Sequence, residues 1–346
     1  MKLLDYDYDL PRKFIASTPQ EDRAGARLLY VPQKEGAFSH HTFRDLRHFL
    51  KAGDVLVLND TRVLPARLFG QKENGGKIEA LLVKQRSDLH WDALVRPSGR
   101  VKKDTLIHFG ENGLRLQAKV LDAPRVGTGL RQLEFERGAF LEKLATIGHM
   151  PIPPYLKRPD TAQDREFYQT VFAAKSGAIA APTAGLHFDQ SLLNTLKQQG
   201  VEIVFVTLHT SFGTFRPVAE EDLTKRRLLE EWYEIPEAAA LCVNGALREG
   251  RRVIACGTTS VRALESALDS QGKLKPGQGL TQLFIYPPFS FRITQGLITN
   301  FHLPKSSLLL LAAAFLGDRV RLLDAYHEAM RQDYRFYSYG DAMLVL

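Results

Sequence analysis

The chain has 346 residues, of which 44% are hydrophobic and 25% are charged, and its formal net charge is +7. These values are ordinary for a globular protein and exclude a fibrous or low-complexity chain, and the length allows one large domain or two. The positive charge favours a polyanionic partner such as nucleic acid only mildly, because basic surfaces are common.

Cysteine usage and hydropathy narrow the class of protein further. The two cysteines, Cys242 and Cys256, exclude a disulfide framework and a Cys-rich zinc module. Residues 1–11 carry acids where a signal peptide needs an apolar core. The longest apolar run, Leu308–Leu316, is about half as long as the roughly 20 residues of a membrane helix. We therefore expect a cytoplasmic protein with no membrane partner.

The N-terminal part predicts an extended arm that leads into an α/β pattern. Alternating Asp and Tyr residues at 5–9 are typical of an edge strand or extended arm, and Pro11 ends it. Apolar residues at helical spacing predict a helix that ends at Gly53. In chain order we predict a strand at 28–31, a helix at 42–50 and a strand at 54–58.

Between residues 67 and 140 the pattern changes to short β-rich runs separated by polar or Gly-containing turns. Regular spacing of this kind indicates a small antiparallel barrel or sandwich. Because the α/β pattern resumes near residue 150, we predict a β-barrel domain at 67–149, inserted into an α/β domain formed by 1–66 and 150–346. The predicted strands are 78–84, 91–95, 105–109, 114–121 and 130–136.

Two segments organise the second half of the chain. The first, APTAGLHF (181–188), is followed by a helix N-capped by Asp189 and by a strand at 201–208. The second, TLHTSFGTF (207–215), begins where that strand ends. Ligands of open parallel sheets lie at the C-terminal ends of the strands, so we predict a ligand site in these loops. The side chains presented there are Thr183, His187, His209, Thr210 and Thr214.

A third candidate loop follows a predicted strand at 252–256 and opens the segment GTTSVRALESAL (257–268). Gly257 permits close backbone approach, and the hydroxyls and helix-end amides of 258–260 suit either a polar-ligand cradle or an ordinary N-capped helix. The other predicted elements are helices at 164–174, 220–231, 238–248 and 308–316 and a strand at 281–287.

Histidines and aromatic residues also stand near segment ends. His187, His209 and His302 could in principle bind zinc, but no pair has the spacing of a helix or short hairpin, so metal is the less favoured interpretation. The chain has no dinucleotide fingerprint, P-loop or H-E-x-x-H motif. The aromatic residues could stack bases or belong to the core. They are Phe188, Phe212, Phe215, Phe289, Phe291, Phe301, Tyr337 and Tyr339.

Eight motifs occur in order along nearly the whole chain. They are YDYDLP (6–11), GDVLVLNDTRVLPARL (53–68), PIPPY (151–155), AAPTAGLHF (180–188), GTFRPV (213–218), GTTSVRALES (257–266), TNFHLPKSS (299–307) and YRFYSYGDAM (334–343). Together they resemble the S-adenosylmethionine:tRNA ribosyltransferase-isomerases, the epoxyqueuosine-forming enzymes of queuosine biosynthesis.

The resemblance implies a large α/β domain with a mostly parallel sheet, interrupted by an inserted small antiparallel β-barrel domain. It implies an enzyme that transfers the ribosyl unit of S-adenosylmethionine to the aminomethyl group of 7-aminomethyl-7-deazaguanine at the tRNA wobble position. The sugar rearranges to an epoxycyclopentane, and adenine and methionine leave. The donor is then a consumed co-substrate, tRNA is the partner, and neither a cofactor nor a metal is expected. We also expect a monomer.

This chemistry assigns expected roles to the matched residues. A base must remove the ribose C5′ proton beside the sulfonium. His187 and His209 are the first candidates because imidazole titrates in the working range, and Glu231, His302 and Asp341 are alternates. Arg262 could anchor the methionine carboxylate, or pair with Glu265 or Ser266. Thr258–Ser260 could stabilise departing adenine, and Tyr337 or Tyr339 could hold the sulfonium. The expected substrate-binding residues are Asn59, Asp60, Thr61, Arg62, Thr183, Gly185, Phe188, Gly213, Thr214, Phe215, Thr258, Thr259, Ser260, Arg262, Asn300, Phe301, Tyr337 and Tyr339.

Two departures from the family pattern and two rival functions stay open. Where relatives commonly show H-x-M-H-x-E, this chain reads RRLLEE (226–231), and Ser211 replaces a glycine of the H-V-G-x-G-T-F motif. The rivals are a non-catalytic RNA-binding module and a metal-dependent nucleoside hydrolase. The candidates for phosphate contact are Arg96, Lys102, Lys103, Lys157, Arg158, Arg226 and Arg227.

Overall fold

The computed structural model describes residues 2–110, 114–122, 129–210, 218 and 220–346, with residues 220 and 221 described by their backbone alone. The chain forms two compact units. The first comprises Met1–Arg62, Phe167–Lys175 and Ala181–Leu346, and the second comprises Val63–Glu166 and Ser176–Ala180. The predicted insertion, 67–149, lies within the second unit, and its two boundaries stay predictions.

Strands account for most of the framework. In chain order they are β1 (Arg27–Val31), β2 (Ser39–Thr42), β3 (Val55–Asn59), β4 (Thr61–Val63), β5 (Arg67–Lys72), β6 (Lys77–Gln85), β7 (His90–Arg96), β8 (Leu106–Phe109), β9 (Leu116–Val120), β10 (Leu130–Phe135), β11 (Lys175–Ala178), β12 (Glu202–Leu208), β13 (Arg227–Ile235), β14 (Val253–Cys256), β15 (Gly277–Leu283), β16 (Gly296–Asn300) and β17 (Ala342–Val345).

Helices cover and connect these strands. They are α1 (Leu46–Phe49), α2 (Phe140–Ile147), α3 (Ala162–Phe167), α4 (Gln190–Gln198), α5 (Glu220–Lys225), α6 (Glu237–Arg248), α7 (Thr258–Ser266), α8 (Ser307–Leu316) and α9 (Arg319–Arg331). Short 3-10 helices include Leu3–Tyr6, Phe43–Asp45 and Thr183–His187. Among the described residues, no helix is long and apolar enough to cross a membrane.

The first unit is built on a mixed sheet, which within the described residues has nine strands in the order β15-β13-β12-β3-β14-β16-β17-β1-β2. The four neighbours β12, β3, β14 and β16 run parallel. β13 is antiparallel to β12, and β17 is antiparallel to β16 and parallel to β1. The predicted α/β fold is confirmed. The sequence predicts a mostly parallel sheet, and parallel pairing is found among the four central strands.

Burial explains why the central strands read as continuous apolar runs. Every residue of β3, β14 and β16 is buried, as expected for parallel strands covered on both faces. Leu192, Leu193 and Leu196 of α4 pack into the core cluster that contains Leu56 and Leu58 of β3. Asp189 caps α4 as predicted, since its carboxylate accepts the N–H of Leu192 at 2.7 Å. The helix is therefore fixed at the edge where the 181–188 segment ends.

The second unit contains a closed barrel, whose strands in the described residues follow the order β10-β7-β6-β5-β8-β9. All pairings given for this barrel are antiparallel. Buried residues alternate along β9 and β10, and Trp91, Phe109 and Phe135 fill the interior. The predicted inserted β-barrel is thus confirmed as a fold, although β5 was not among the five predicted strands.

Several predicted elements are wrong in extent or type. The predicted helix at 220–231 ends at Lys225, because the following residues form β13 between β12 and β15, where cross-strand pairing outweighs helical spacing. The helix predicted at 164–174 ends at Phe167, and the strand predicted at 281–287 lies at Gly277–Leu283. Of the two alternatives predicted for 5–9, the edge strand does not form. A 3-10 helix ends at Tyr6 and an extended segment follows it, in which Tyr8 is buried.

Candidate active site

A pocket opens in the first unit where the parallel strands β12, β14 and β16 end. It holds about 650 Å³ of empty space including its open mouth. Its position at the C-terminal strand edge is the one expected for open α/β sheets. The described residues that line it are Ala181, Pro182, Thr183, Ala184, Thr210, Gly257, Thr258, Thr259, Thr299, Asn300, Phe301, His302, Leu303, Ser306, Leu308, Tyr337 and Ser338.

The N-terminus of α7 forms one wall of this pocket. β14 ends at Cys256, and Gly257 turns the chain with a φ of +86° and a ψ of 149°, a conformation that is essentially restricted to glycine. The Gly257 N–H donates to the carbonyl of Ile298 at 2.7 Å and so ties the turn to β16. The first-turn amides of a helix carry partial positive charge, and here they belong to residues that line the pocket, Thr258 and Thr259.

Three buried polar atoms of the pocket residues have no hydrogen-bond partner among the described residues. They are Oγ1 of Thr210, Oγ1 of Thr259 and Oδ1 of Asn300. The three residues are 3%, 8% and 2% exposed, respectively. Buried polar groups are nearly always paired in native proteins, so a water molecule or a ligand can complete the hydrogen bonding of these three atoms.

The orientation of the Asn300 amide follows from its neighbours. Its Nδ2 lies 3.1 Å from the carbonyl oxygen of Tyr337 and 3.4 Å from that of Asp341, so this atom must be the donor nitrogen. Nδ2 also donates to Nε2 of His187 at 3.2 Å. The amide oxygen is thereby the atom without a described partner.

His187 lies behind Asn300 and is not among the residues that line the pocket. Because its Nε2 accepts from Asn300, the proton of the neutral imidazole is on Nδ1. Burial, with smaller effects of Arg335 and Arg23, lowers the pKa of His187 to about 3, and the ring packs 5.0 Å from that of Phe43. As placed, this imidazole orients an amide, and its assignment as the C5′ base stays a prediction without support from the geometry.

Of the three candidate histidines, His302 is the one that lines the pocket. Its Nε2 is 2.7 Å from Oγ1 of Thr299, and burial lowers its pKa to about 3. The His209 side chain turns instead to Thr61, whose Oγ1 is 2.8 Å from Nδ1, and stacks on Trp232 with ring centroids 4.8 Å apart. Burial, together with Lys175, lowers the pKa of His209 to about 4. All three imidazoles are therefore neutral at neutral pH.

The two charged candidates Glu231 and Arg262 are paired with each other. The Arg262 guanidinium donates to the Glu231 carboxylate from Nη1 and to the carbonyl of Leu283 from Nε, and both side chains are buried. The expected pairing of Arg262 with Glu265 or Ser266 is wrong, because Glu265 instead accepts the backbone N–H groups of residues 292–294. The pair joins β13 to α7 and does not line the pocket.

Comparison with known proteins places this site in a family. The family model described as queuosine biosynthesis protein matches residues 3–345. The chain belongs to this family. The predicted membership in the queuosine biosynthesis family is thus confirmed, and with it the expectation of an enzyme.

Relatives of the family resemble the chain over its whole length. The S-adenosylmethionine:tRNA ribosyltransferase-isomerase of Desulforamulus reducens is 48% identical over 348 residues, and that of Carboxydothermus hydrogenoformans is 48% identical over 347 residues. Both alignments cover 100% of this chain and of the relative. A crystal structure of S-adenosylmethionine tRNA ribosyltransferase from Thermotoga maritima is 33% identical, with a TM-score of 0.55 and coverage of 99% of this chain and 100% of the other.

One motif of this family member, Asn59–Arg62, serves to join strands. The Asn59 side chain donates to the carbonyl of Leu208 at 3.0 Å and accepts the N–H of Leu208 at 3.1 Å, which links β3 to the end of β12. The Asp60 carboxylate accepts from Oγ1 of Thr207 at 2.6 Å, and burial raises its pKa. Arg62 donates to the carbonyl of Ala173 at 2.5 Å. None of the four is among the described pocket residues, so the predicted substrate contact lacks structural support.

Other predicted substrate residues divide between pocket and core. Thr183, Thr258, Thr259, Asn300, Phe301 and Tyr337 line the pocket. Phe188 is fully buried against Phe43, and Ser260 donates to the carbonyl of Cys256 at 2.7 Å. Gly185 is also buried and outside the pocket. Gly213, Thr214 and Phe215 lie outside the described residues, as do Ser211 and Phe212.

Tyr339 and Asp341 lie beside the pocket. Tyr339 lines a second, smaller cavity with His187, Arg23 and Arg335. The Asp341 carboxylate accepts the backbone N–H groups of Arg27 at 2.9 Å and Arg335 at 2.7 Å, and burial raises its pKa. This acid therefore holds backbone, and its role as an alternate base stays a prediction.

The basic candidates for RNA contact also divide. Arg158 makes two hydrogen bonds, at 2.6 and 2.8 Å, to the buried carboxylate of Asp164, so its guanidinium has a structural partner. The others are exposed, namely Arg96, Lys102, Lys103 and Lys157 in the second unit and Arg226 and Arg227 in the first. Within the described ranges, no group of three His, Cys, Asp or Glu side chains could hold a metal ion.

Sequence reasoning missed part of the pocket wall. Thr299, Ser306 and Ser338 line it, although none was singled out as a candidate. Thr299 and Ser306 belong to the TNFHLPKSS motif, and Ser338 belongs to YRFYSYGDAM. Their small polar side chains resemble ordinary cap and turn residues, so the motif membership was the available signal.

Proposed function

We propose that this chain transfers and isomerises the ribosyl moiety of S-adenosylmethionine onto the aminomethyl group of 7-aminomethyl-7-deazaguanine at the tRNA wobble position. The products are epoxyqueuosine-tRNA, adenine and methionine. The single observation that carries the proposal is the pocket at the strand ends with its three incompletely bonded buried polar atoms. Relatives that match the chain from end to end bear the name of this transferase-isomerase.

The first chemical step is removal of the ribose C5′ proton, which the neighbouring sulfonium acidifies. Among the described candidates we assign the base to His302, because it lines the pocket and burial keeps its imidazole unprotonated. A base of low pKa is weak, so most of the driving force has to come from the sulfonium. Departing adenine gains negative charge on a ring nitrogen, and we assign the stabilisation of that charge to the N-terminal amides of α7, whose residues Thr258 and Thr259 line the pocket.

Turnover of the His302→Ala variant tests the base assignment. We expect kcat to fall at least about 100-fold, the lower limit for loss of a general base. Thr299→Val is the matched comparison, since it removes the hydroxyl bonded to the imidazole and leaves the imidazole in place. Turnover within a few-fold of the unaltered enzyme in His302→Ala would remove His302 from this role.

Release of adenine tests the reaction itself. The full chain is mixed with S-adenosylmethionine and a tRNA that carries the aminomethyl-deazaguanine base, and free adenine and modified tRNA are quantified by chromatography. We expect adenine in equal amount to modified tRNA, and none with tRNA that carries guanine. RNA binding without release would favour the RNA-binding module. Chelator-sensitive release of a free base from a nucleoside would favour the hydrolase.

A further inference from the structure

A groove is open on the outer face of the barrel in the second unit. It holds about 1150 Å³ of empty space, including the solvent at its open side. Along β5, Leu68 is fully buried whereas the next residue, Phe69, is 49% exposed, so the groove lies on the face turned away from the barrel interior. We define the barrel groove by six of its described side chains, Phe69, Gln71, Lys77, Glu79, Arg96 and His108.

The strand register arranges these six side chains in two rows. Residues directly opposite each other in antiparallel strands project from the same face of the sheet, with Cβ atoms about 5 Å apart. The row across β8, β5 and β6 consists of His108, Gln71 and Lys77. The row across β5, β6 and β7 consists of Phe69, Glu79 and Arg96. Because residues two apart on one strand share a face, the two rows form one surface.

The ring of Phe69 is held in place on this surface. Its centroid lies 5.0 Å from that of His149, with the two rings nearly perpendicular. The His149 side chain is fixed in turn, since its Nδ1 is 2.8 Å from Oδ1 of Asp160. A single exposed apolar side chain is common and implies nothing by itself. A ring that is already ordered, however, loses little entropy when a flat ligand stacks on it.

Positive charge flanks this ring. Lys77 and Arg96 are both exposed, so their charged ends are accessible to a ligand in the groove. The Glu79 carboxylate accepts from Nη1 of Arg67 at 2.6 Å, so its charge is compensated by that guanidinium. Further exposed cations follow β7, namely Arg100, Lys102 and Lys103.

An exposed ring with cations beside it suits an unpaired nucleotide. The base offers a flat face that stacks on the ring, and its phosphates meet the cations. The spacing fits, because β5 and β7 are two strand spacings apart, about 10 Å, which a long arginine side chain spans. An acidic peptide offers carboxylates for the cations but no regular flat face for the ring. The formal net charge of +7 likewise favours a polyanion.

We propose that the barrel groove binds an unpaired nucleotide of RNA, with the base stacked on Phe69 and the flanking phosphates bound by Lys77 and Arg96. The groove belongs to the second unit, whereas the pocket at the strand ends belongs to the first. It binds RNA and takes no part in the chemical steps. The choice of RNA rests on the proposed function, whereas the stacking and the charge contacts rest on the groove.

Fluorescence anisotropy of a labelled single-stranded RNA of about twelve nucleotides, titrated with the full chain, tests the groove. Phe69→Ala and Phe69→Leu should each weaken binding at least about fivefold, because a base can no longer stack on an aromatic ring. Phe69→Trp should bind as tightly as the unaltered chain or more tightly. The duplex of the same sequence has its bases covered, so its affinity should not change in any of the three variants.

The salt dependence tests the two cations. The logarithm of the association constant for the single strand should fall linearly with the logarithm of salt concentration. Lys77→Gln and Arg96→Gln should each reduce this slope by about 0.7, the value for one phosphate contact on a single strand.

Leu141→Ala is the matched control. Leu141 on α2 is a large apolar residue of the same unit and is 59% exposed, but it is not among the groove residues. This variant should bind both RNA forms like the unaltered chain. Phe69→Leu keeps an apolar side chain against His149 and should keep its melting temperature, so its weaker binding reports the lost ring and not the fold.

Single-strand affinity that is unchanged in Phe69→Leu, or an equal loss for single strand and duplex, would overturn the proposal. Equal binding of a polyglutamate chain would overturn it as well, because the groove would then bind any acidic polymer. The adenine-release assay is independent of these results. Release by the unaltered chain with RNA binding that does not depend on Phe69 would leave the reaction standing and reject the groove. Phe69-dependent binding without release would keep the groove and reject the reaction.

Discussion

Asn300 and Arg262 illustrate two ways in which a buried polar side chain is held in this protein. The nitrogen of Asn300 has acceptors on three sides, and its oxygen has no described partner. The Arg262 guanidinium instead forms an ion pair with Glu231, which lies on another element. The first arrangement fixes the orientation of an amide whose residue lines the pocket, whereas the second serves the stability of the fold.

Glu231→Gln should destabilise the protein strongly. The substitution keeps the shape of the side chain but leaves the buried Arg262 guanidinium without a counter-charge, so the free energy of unfolding should fall by about 3–5 kcal/mol. Urea denaturation followed by circular dichroism measures it. Asp7→Asn, which breaks an exposed pair with Lys305, is the matched control and should cost no more than about 1 kcal/mol. Equal losses in the two variants would contradict the structural role.

Residue roles could be predicted where they follow from position at a strand end, and could not where they depend on a distant partner. Thr258 follows β14, which was predicted as a strand, whereas Asn300 was expected only from its family motif, because no strand was predicted where β16 forms. The pairing of Arg262 was missed because Glu231 is 31 residues away and falls in a segment that reads as a helix. The orientation of His187 depends on Asn300, 113 residues away, which no local pattern indicates.

At the scale of elements, the position of α7 depends on one glycine. Gly257 leaves β14 with backbone angles that other residues rarely adopt, and its N–H is fixed to β16. A Cβ at this position would find ordinary contacts, the nearest being Oγ1 of Thr259 at 3.5 Å. The requirement for glycine is therefore one of backbone conformation and not of space.

Gly257→Ala should weaken both the fold and the pocket. Backbone strain should lower the free energy of unfolding by about 1–3 kcal/mol, and the shifted first turn of α7 should raise the KM for S-adenosylmethionine. Gly250→Ala provides the comparison, because Gly250 also has a positive φ, +70°, but no neighbour within 4 Å and no place in the pocket. It should lose stability without a change in KM. A KM for Gly257→Ala equal to that of Gly250→Ala would show that the turn does not position the pocket.

Elements were predictable where one periodicity dominates. α4, α6 and α8 follow their apolar stripes and caps closely, and β3 and β12 follow their apolar runs. β13 was missed because the charged residues of its first half are typical of a solvent-exposed helix. Its strand conformation depends on pairing with β12 on one side and β15 on the other. β17 is a short run of four residues, Ala342–Val345, whose pairing with β16 and β1 connects distant parts of the chain.

At the scale of the whole molecule, the inserted barrel was predictable because regular turns recur through it. A barrel can be recognised from hairpins between strands that are adjacent in the sequence. The strand order of the large sheet depends instead on crossover connections between strands that are distant in the sequence. The pairing of β1 with β17 joins the two ends of the first unit and leaves no trace in local periodicity. Fold class could thus be inferred from the sequence, but strand order could not.

Acid should destabilise the whole protein through its neutral buried histidines. The pKa values of His187 and His302 fall to about 3 and that of His209 to about 4, below the unfolded value near 6.5. Below pH ~6.5 the unfolded chain therefore binds protons at these histidines that the folded protein does not bind. The stability that comes from keeping them neutral is complete above pH ~6.5 and is lost as pH falls. Each histidine contributes a slope of up to about 1.4 kcal/mol per pH unit.

Urea midpoints measured from about pH 7 to pH 5.5 should fall accordingly, and more gently in His302→Gln, which removes one of these groups. Asp60 and Asp341 act in the opposite sense at lower pH, because burial raises their pKa and the folded protein then binds the extra protons. A stability that stays constant across this interval would show that the imidazoles are not buried in their neutral form.

The net charge should make RNA binding depend strongly on salt. If the exposed cations at 96, 102, 103, 157, 226 and 227 neutralise phosphates, the logarithm of the tRNA association constant should fall linearly with the logarithm of salt concentration. Each Lys→Gln or Arg→Gln variant at a contacting position should reduce the slope by about 1. Lys305→Gln, which replaces a residue already paired with Asp7, should leave it unchanged. A flat response of the unaltered chain would reject phosphate contact.

The amide of Asn300 has a spectroscopic consequence. Its two hydrogens are buried among three acceptors and shielded from solvent exchange, while its oxygen has no described partner. In a chain labelled with nitrogen-15 in its asparagines, this group should give a pair of slowly exchanging resonances, distinct from those of solvent-exposed amides. Occupation of the oxygen by a ligand polarises the carbon–nitrogen bond and shifts both signals, so the enzyme contains its own reporter of pocket filling.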